Sequence, residues 1–193
     1  NLCCVYDKCC EFFPIRFRNL TSKQRFIMQF KGLINQFPKE IKLLLTAFVF
    51  TLSIGFYSGI FFVKSTTNAN PQGIEQRYLG NEDDENATKM MFKKSEGEIM
   101  TTVHSHILSL SVIFFLIALI LSTTEINQKL KVFLMIEPFL SLIFTFGGIY
   151  FLWKEITWMK YVIMISGFLM TATYTLSITI IFKELFAKKK SIV

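Results

Sequence analysis

From Ile99 to Thr124 the chain carries no Asp, Glu, Lys or Arg. A run of that length can cross the apolar layer of a bilayer as a helix, which takes about 20 residues. Within it, residues 103–122 form the predicted span. Three further apolar runs have the same character: residues 43–63 between Lys42 and Lys64, residues 132–153, and residues 161–182 between Lys160 and Lys183. The predicted fold class is therefore all-α: a polytopic membrane protein with four transmembrane helices. Composition agrees. The chain is 52% hydrophobic and 16% aromatic, more apolar surface than a soluble domain of this length can bury. Its net charge of +7 would suggest nucleic acid in a soluble protein. Here the bases flank apolar runs, which points to a lipid surface and to no nucleic-acid partner.

Two regions are expected: a cytoplasmic N-terminal segment, residues 1–40, and the four-helix transmembrane domain, residues 41–193. In the first, Thr21 and Gln24 fit a capping box. After it, Phe26, Ile27, Phe30, Leu33, Ile34 and Phe37 recur at helical spacing, with bases between them, until Pro38. That pattern predicts an amphipathic helix lying along the bilayer surface. Between the first two spans, residues 64–98 read as an external polar loop. It has turn signals at Asn68, Asn70, Pro71 and Gly73, an acidic run Glu82-Asp83-Asp84-Glu85, and a sequon at Asn86. The acidic run lacks the alternate ligand spacing of a calcium loop.

Orientation follows from the bases. With both termini inside, about twice as many Lys and Arg lie on the cytoplasmic side as outside. The same topology gathers Tyr150, Trp153, Trp158 and Tyr161 at the outer boundary, where amphipathic rings prefer to sit.

Candidate chemistry is sparse. Both histidines of the chain, His104 and His106, open the second span. Two residues apart on a helix, they point about 200° from each other and cannot share one metal. His106 lies on a stripe with Thr102, Ser105 and Ser109 and is expected to face the bundle, with His104 nearer water or a partner. Such an imidazole can contact haem b or a quinone, shuttle protons, or hydrogen-bond a neighbour. Haem needs a second ligand, from Met100, Met159, Met164 or another chain. Glu137, beside Pro138, is an intramembrane carboxylate and so a proton-transfer candidate. Its alternatives are snorkelling to the inner interface or pairing with Lys129 or Lys131. Thr51, Gly55 and Gly59, then Gly147 and Gly148, then Gly167 and Thr171, are expected to let helices approach closely. Cys3, Cys4, Cys9 and Cys10 match no zinc or haem-attachment spacing. No metal centre, nucleotide loop or hydrolase motif is expected.

The segment from Thr101 to Leu121, opened by His104-Ser105-His106, resembles the histidine-bearing helix of small bacterial membrane proteins associated with respiratory chains. With Gly73-Ile74-Glu75, Tyr78-Leu79-Gly80-Asn81-Glu82 and three closing spans, it is similar to uncharacterised four-helix inner-membrane proteins over about two thirds of the chain. It departs from cytochrome b patterns, whose histidine pairs come from two helices. Four short spans, small-residue faces and the lack of a catalytic set favour a non-catalytic, accessory subunit of a larger membrane complex, and the resemblance gives that complex a respiratory character. The alternatives are a haem- or quinone-binding electron-transfer protein using His106 and His104, and a proton-coupled transporter using Glu137.

Overall fold

The computed structural model describes residues 32–82 and 90–187. The four cysteines, the capping box at Thr21, most of the amphipathic helix, the acidic run from Asp83, the sequon at Asn86 and Lys188-Lys189-Lys190 lie outside the described residues. Among the described residues six helices follow in order: α1 Leu33–Gln36, α2 Lys39–Thr67, α3 Pro71–Leu79, α4 Glu96–Ser122, α5 Gln128–Trp153 and α6 Met159–Leu185. Of these, α2, α4, α5 and α6 are long and apolar enough to cross a membrane. Each contains one predicted run.

Local chemistry sets the helix ends. Pro38 stands at the N-cap of α2, and Asn68 ends that helix with φ at 52°. Ser95 and Glu98 form a full capping box at the start of α4, each side chain accepting from the other's backbone amide. Asn127 caps α5 by accepting from the Lys129 amide at 2.9 Å. At the other end of α5, Glu155 N donates to Leu152 O and Ile156 N to Phe151 O, the Schellman arrangement, with Glu155 at φ 70°.

The bundle is built around α5, which lies between α4 and α6. Half of α5's apolar window is buried, against only 6% of α2's. Helix α2 is peripheral. Phe56 stacks on Tyr174 of α6 at 3.9 Å, and the Tyr57 hydroxyl meets Thr175 Oγ1 at 2.9 Å. Leu43, Phe50, Ile54 and Phe61 point outward. Such a surface is a liability in water and the expected one in lipid.

Within this chain the small-residue face of α2 does not pack. Thr51, Gly55 and Gly59 are exposed, and a Cβ on either glycine would meet nothing within 4 Å. The rings of Phe56 and Tyr57 make the contact instead. Gly147 and Gly167 are also open, and Thr171 bonds the Gly167 carbonyl of its own helix at 2.8 Å. At Gly148 a Cβ would stand 2.9 Å from Ile163 Cγ1, so α5 and α6 approach closely at that level.

The excursion between α2 and α4 is not a plain loop. Its turn signals make a tight corner into α3, whose Gly73 and Ile74 are buried. The arms zip together: Asn81 N donates to Met91 O at 2.9 Å, Met91 N to Asn81 Oδ1 at 2.6 Å, and Lys94 N to Tyr78 O at 3.1 Å. Trp153 Nε1 donates to Lys94 O at 2.8 Å, and Lys160 pairs with Glu75 at 2.6 Å. These bonds clamp the excursion over the ends of α5 and α6.

Candidate functional site

Glu137 lies on the buried face of α5, 5% exposed. Both carboxylate oxygens are occupied. Ser141, one turn on, donates its hydroxyl to Oε1, and Thr173 of α6 donates to Oε2 at 2.5 Å. The spacing explains the arrangement. Residues i and i+4 share a helix face, and the α5–α6 hairpin brings the Thr173 face opposite. Pro138 has no amide hydrogen, so the turn preceding it lacks one backbone bond. A buried carboxylate requires compensation by hydrogen bonds, and the two hydroxyls supply it.

The polar seam continues along the α5–α6 interface. Thr145 Oγ1 and Ser166 Oγ stand 2.7 Å apart, one turn above Ser141, and Ser177 is buried below Thr173. Towards the α4–α5 turn, Lys131 Nζ donates to the Ser122 and Thr124 carbonyls at 3.0 and 2.5 Å, capping the end of α4. A cation there also suits the helix dipole. Helix spacing alone marks Ser141 as a partner of Glu137. Thr173 as the second partner depends on how α6 is rotated against α5.

The histidines do not join this seam. Both are exposed on α4, so His106 does not enter the bundle interior as expected. Its ring stacks on Phe146 of α5 at 4.8 Å, which holds it at the α4–α5 edge. His106 Nδ1 lies 2.9 Å from the Thr102 carbonyl oxygen. A carbonyl only accepts, so Nδ1 carries the hydrogen, and Nε2 of the neutral ring keeps a lone pair.

Thr102 also lines a cavity of about 530 Å³ beside the excursion between α2 and α4, together with Arg77, Tyr78, Lys94, Glu98 and Thr101. That size suits a small organic ligand. Burial pushes the Tyr78 phenol up, with Arg77 partly offsetting it. Beside this wall, Lys93 pairs with Glu155 at 2.5 Å. The bond from Lys93, then its charge, holds Glu155 below the ordinary carboxylate range. A depressed acid contributes stability that is present above its unfolded value and lost as pH falls through the folded one. Both partners are exposed, so the effect is small. Amide hydrogen exchange of residues 90–95 is expected to quicken only below the usual Glu range, and Glu155→Gln is expected to remove that dependence.

Residues 68–192 match a family model described as a transmembrane helical domain. A search of curated proteins and a search of solved structures each return no match. The match begins at Asn68, the residue that ends α2, and takes in α3, α4, α5 and the whole of α6. Helix α2 thus stands outside the shared unit, as its sparse packing also indicates. Glu137, its two hydroxyl partners and both histidines fall within it. Covering well over half of the sequence, the match establishes that this integral membrane protein belongs to the transmembrane helical domain family.

Proposed function

We propose that the protein handles protons across the membrane and that Glu137 is the group that carries them. One observation supports this reading above the others: a carboxylate sits buried in the bundle interior, within an apolar helix long enough to cross a membrane, with each oxygen on a hydroxyl. An ionisable group at such a depth is costly to keep and is a functional-site hypothesis by default. The hydroxyls of Thr145 and Ser166 extend the polar seam outward, and Lys131 stands on its inner side. In this reading both termini lie in the cytoplasm, with the α3 excursion outside. The test is flux. Full-length protein in liposomes with an entrapped pH dye is expected to dissipate an imposed pH gradient, and Glu137→Gln is expected to return the rate to that of empty vesicles. Equal flux in the two would remove the proposal.

A second reading is favoured by the histidine geometry. In it the chain is a small accessory subunit of a larger membrane complex, respiratory in character, and His106 contacts haem b or a quinone. The fixed Nδ1 hydrogen leaves Nε2 as the ligating atom, and the cavity one turn above is lined by hydroxyls, two bases and Glu98. Haem would take its second ligand from another chain. Gentle detergent extraction from the native membrane is then expected to yield a Soret band or extractable quinone, lost in His106→Ala. A colourless, quinone-free preparation argues against it.

A further inference from the structure

We propose that Thr173 is the positioning residue of the carboxylate site and that the exchangeable proton rides on Glu137 Oε2. The proposal rests on Glu137 as a proton carrier and adds which oxygen takes the proton and what accommodates it. Thr173 Oγ1 stands 2.5 Å from Glu137 Oε2, 2.9 Å from Leu169 O and 3.1 Å from Met170 O. A hydroxyl has one hydrogen and two lone pairs, so it serves only one of these acceptors well at a time. With the carboxylate ionised, the hydrogen points at Oε2. When a proton from water reaches Oε2, the new O–H bond donates to a Thr173 lone pair. The hydroxyl then turns its own hydrogen to the Leu169 carbonyl one turn back, a common resting bond for threonine in a helix. Release reverses both movements and returns the proton to water. No electrons move. One O–H bond breaks in the donor as one forms on Oε2.

Ser141 makes the two oxygens inequivalent. Its hydroxyl donates to Oε1 within the same helix, with no second acceptor of the kind that Leu169 offers Thr173. It therefore keeps donating to Oε1 in both states. Both protonation states are fully hydrogen-bonded, and a rotation about one C–O bond separates them. An apolar neighbour offers no such exchange, and a lysine would hold the carboxylate ionised.

Few other charges compete. On α5 the nearest charged side chain along the helix is Lys131. Between Lys160 and Lys183 on α6, between His106 and Glu125 past α4, and between Lys42 and Lys64 on α2, the sequence has no Asp, Glu, Lys, Arg or His; the phenols of Tyr57, Tyr161 and Tyr174 are the titratable groups there.

The experiment uses the full chain in liposomes, with infrared difference spectra between acid and alkaline buffer and dye-reported proton flux. A carboxyl C=O band that disappears in Glu137→Gln identifies the group. Thr173→Val keeps the shape and deletes the hydroxyl. It is expected to keep the Glu137 band but move it to higher wavenumber, and to slow flux roughly tenfold or more, the effect of losing a bond to a charged group. Thr173→Ser is expected to restore both. A Thr173→Val protein with wild-type band and flux would overturn the role of Thr173 and leave Glu137 as the carrier. Failure of Thr173→Ser to restore either readout would overturn it too, by assigning the effect to shape. Undiminished flux in Glu137→Gln would instead overturn proton conduction, while a pH-dependent Glu137 band that shifts in Thr173→Val would still support the switch.

Discussion

Glu137→Gln is expected to abolish proton exchange while leaving the chain folded, and Glu137→Met is expected to leave it at least as stable as the parent. The amide of Gln keeps an acceptor for Ser141 or Thr173, so unfolding should shift by no more than about 1 kcal/mol, one net hydrogen bond. Met fills the same space without charge. A buried ionised group carries a desolvation cost that its partners offset incompletely, and apolar replacements of similar volume are often neutral or stabilising by about 1–4 kcal/mol. The orphaned Thr173 hydroxyl has a ready alternative at the Leu169 carbonyl, 2.9 Å away. Glu137→Ala differs, because it also opens a cavity in the best-packed part of the bundle. It is expected to cost about 2–5 kcal/mol. Thermal unfolding in mild detergent, paired with liposome flux, separates the cases. A Met variant that unfolds far below the parent would show that the carboxylate mainly staples α5 to α6, and the proton reading would lose its main support.

How much of the fold and the site is legible in the sequence depends on the range of the interaction concerned. The four spans follow from apolar run length, which is local. The Glu137–Ser141 contact also follows from the sequence, because four residues on one helix fix it. The capping box at Ser95 and Glu98 carries an equally local signal, Ser and Glu three apart, yet polarity alone assigns residues 95–98 to the external loop. Helix α3 escapes a reading of the sequence because its turn residues announce a corner but not the helix beyond it. Thr173 is legible only as one hydroxyl among several on the last span. Choosing it requires the rotation of α6, which is set by the Gly148–Ile163 approach and the Phe56–Tyr174 stack. The glycines of α2 illustrate the same limit from the other side. Spacing shows that Gly55 and Gly59 share a face with Thr51, but not that Phe56 and Tyr57 turn a different face to the bundle. His106 departs from expectation for a related reason. Its polar stripe suggests the interior, whereas bonding to Thr102 within its own helix satisfies Nδ1, and the ring stays at the α4–α5 edge.

Gly73→Val is expected to be the most disruptive single change at the α3 end of the bundle. The chain leaves α2 through Asn68 and Ala69, both at positive φ near 50°, and enters α3 with Asn70 as N-cap and Pro71 in the first turn. Asn70 Oδ1 accepts from the Gly73 amide at 2.5 Å, which draws the backbone of residue 73 against the end of α2. A Cβ on Gly73 would fall well inside van der Waals contact of the Thr67 carbonyl oxygen. That obstacle is backbone, so no rotamer change relieves it, and the corner must open. Overpacking of this kind costs about 1–3 kcal/mol and more where nothing yields, which puts the β-branched variant at or above the upper figure. Opening the corner moves α3 off the bundle and takes with it the Glu75–Lys160 pair and the Tyr78–Lys94 backbone bond. Hydrogen exchange and limited proteolysis should therefore report faster exposure of residues 71–82 and 90–95, with α5 and α6 protected as before. Gly55→Ala and Gly59→Ala provide the control. Open space surrounds both glycines, so these variants are expected to hold or slightly raise stability, as Gly→Ala does within a helix, by up to about 1 kcal/mol. An α3 excursion that stays closed in Gly73→Val would mean that the α2–α3 corner is looser than its hydrogen bonds indicate, and the cavity wall at Tyr78 and Lys94 would lose the support assigned to it.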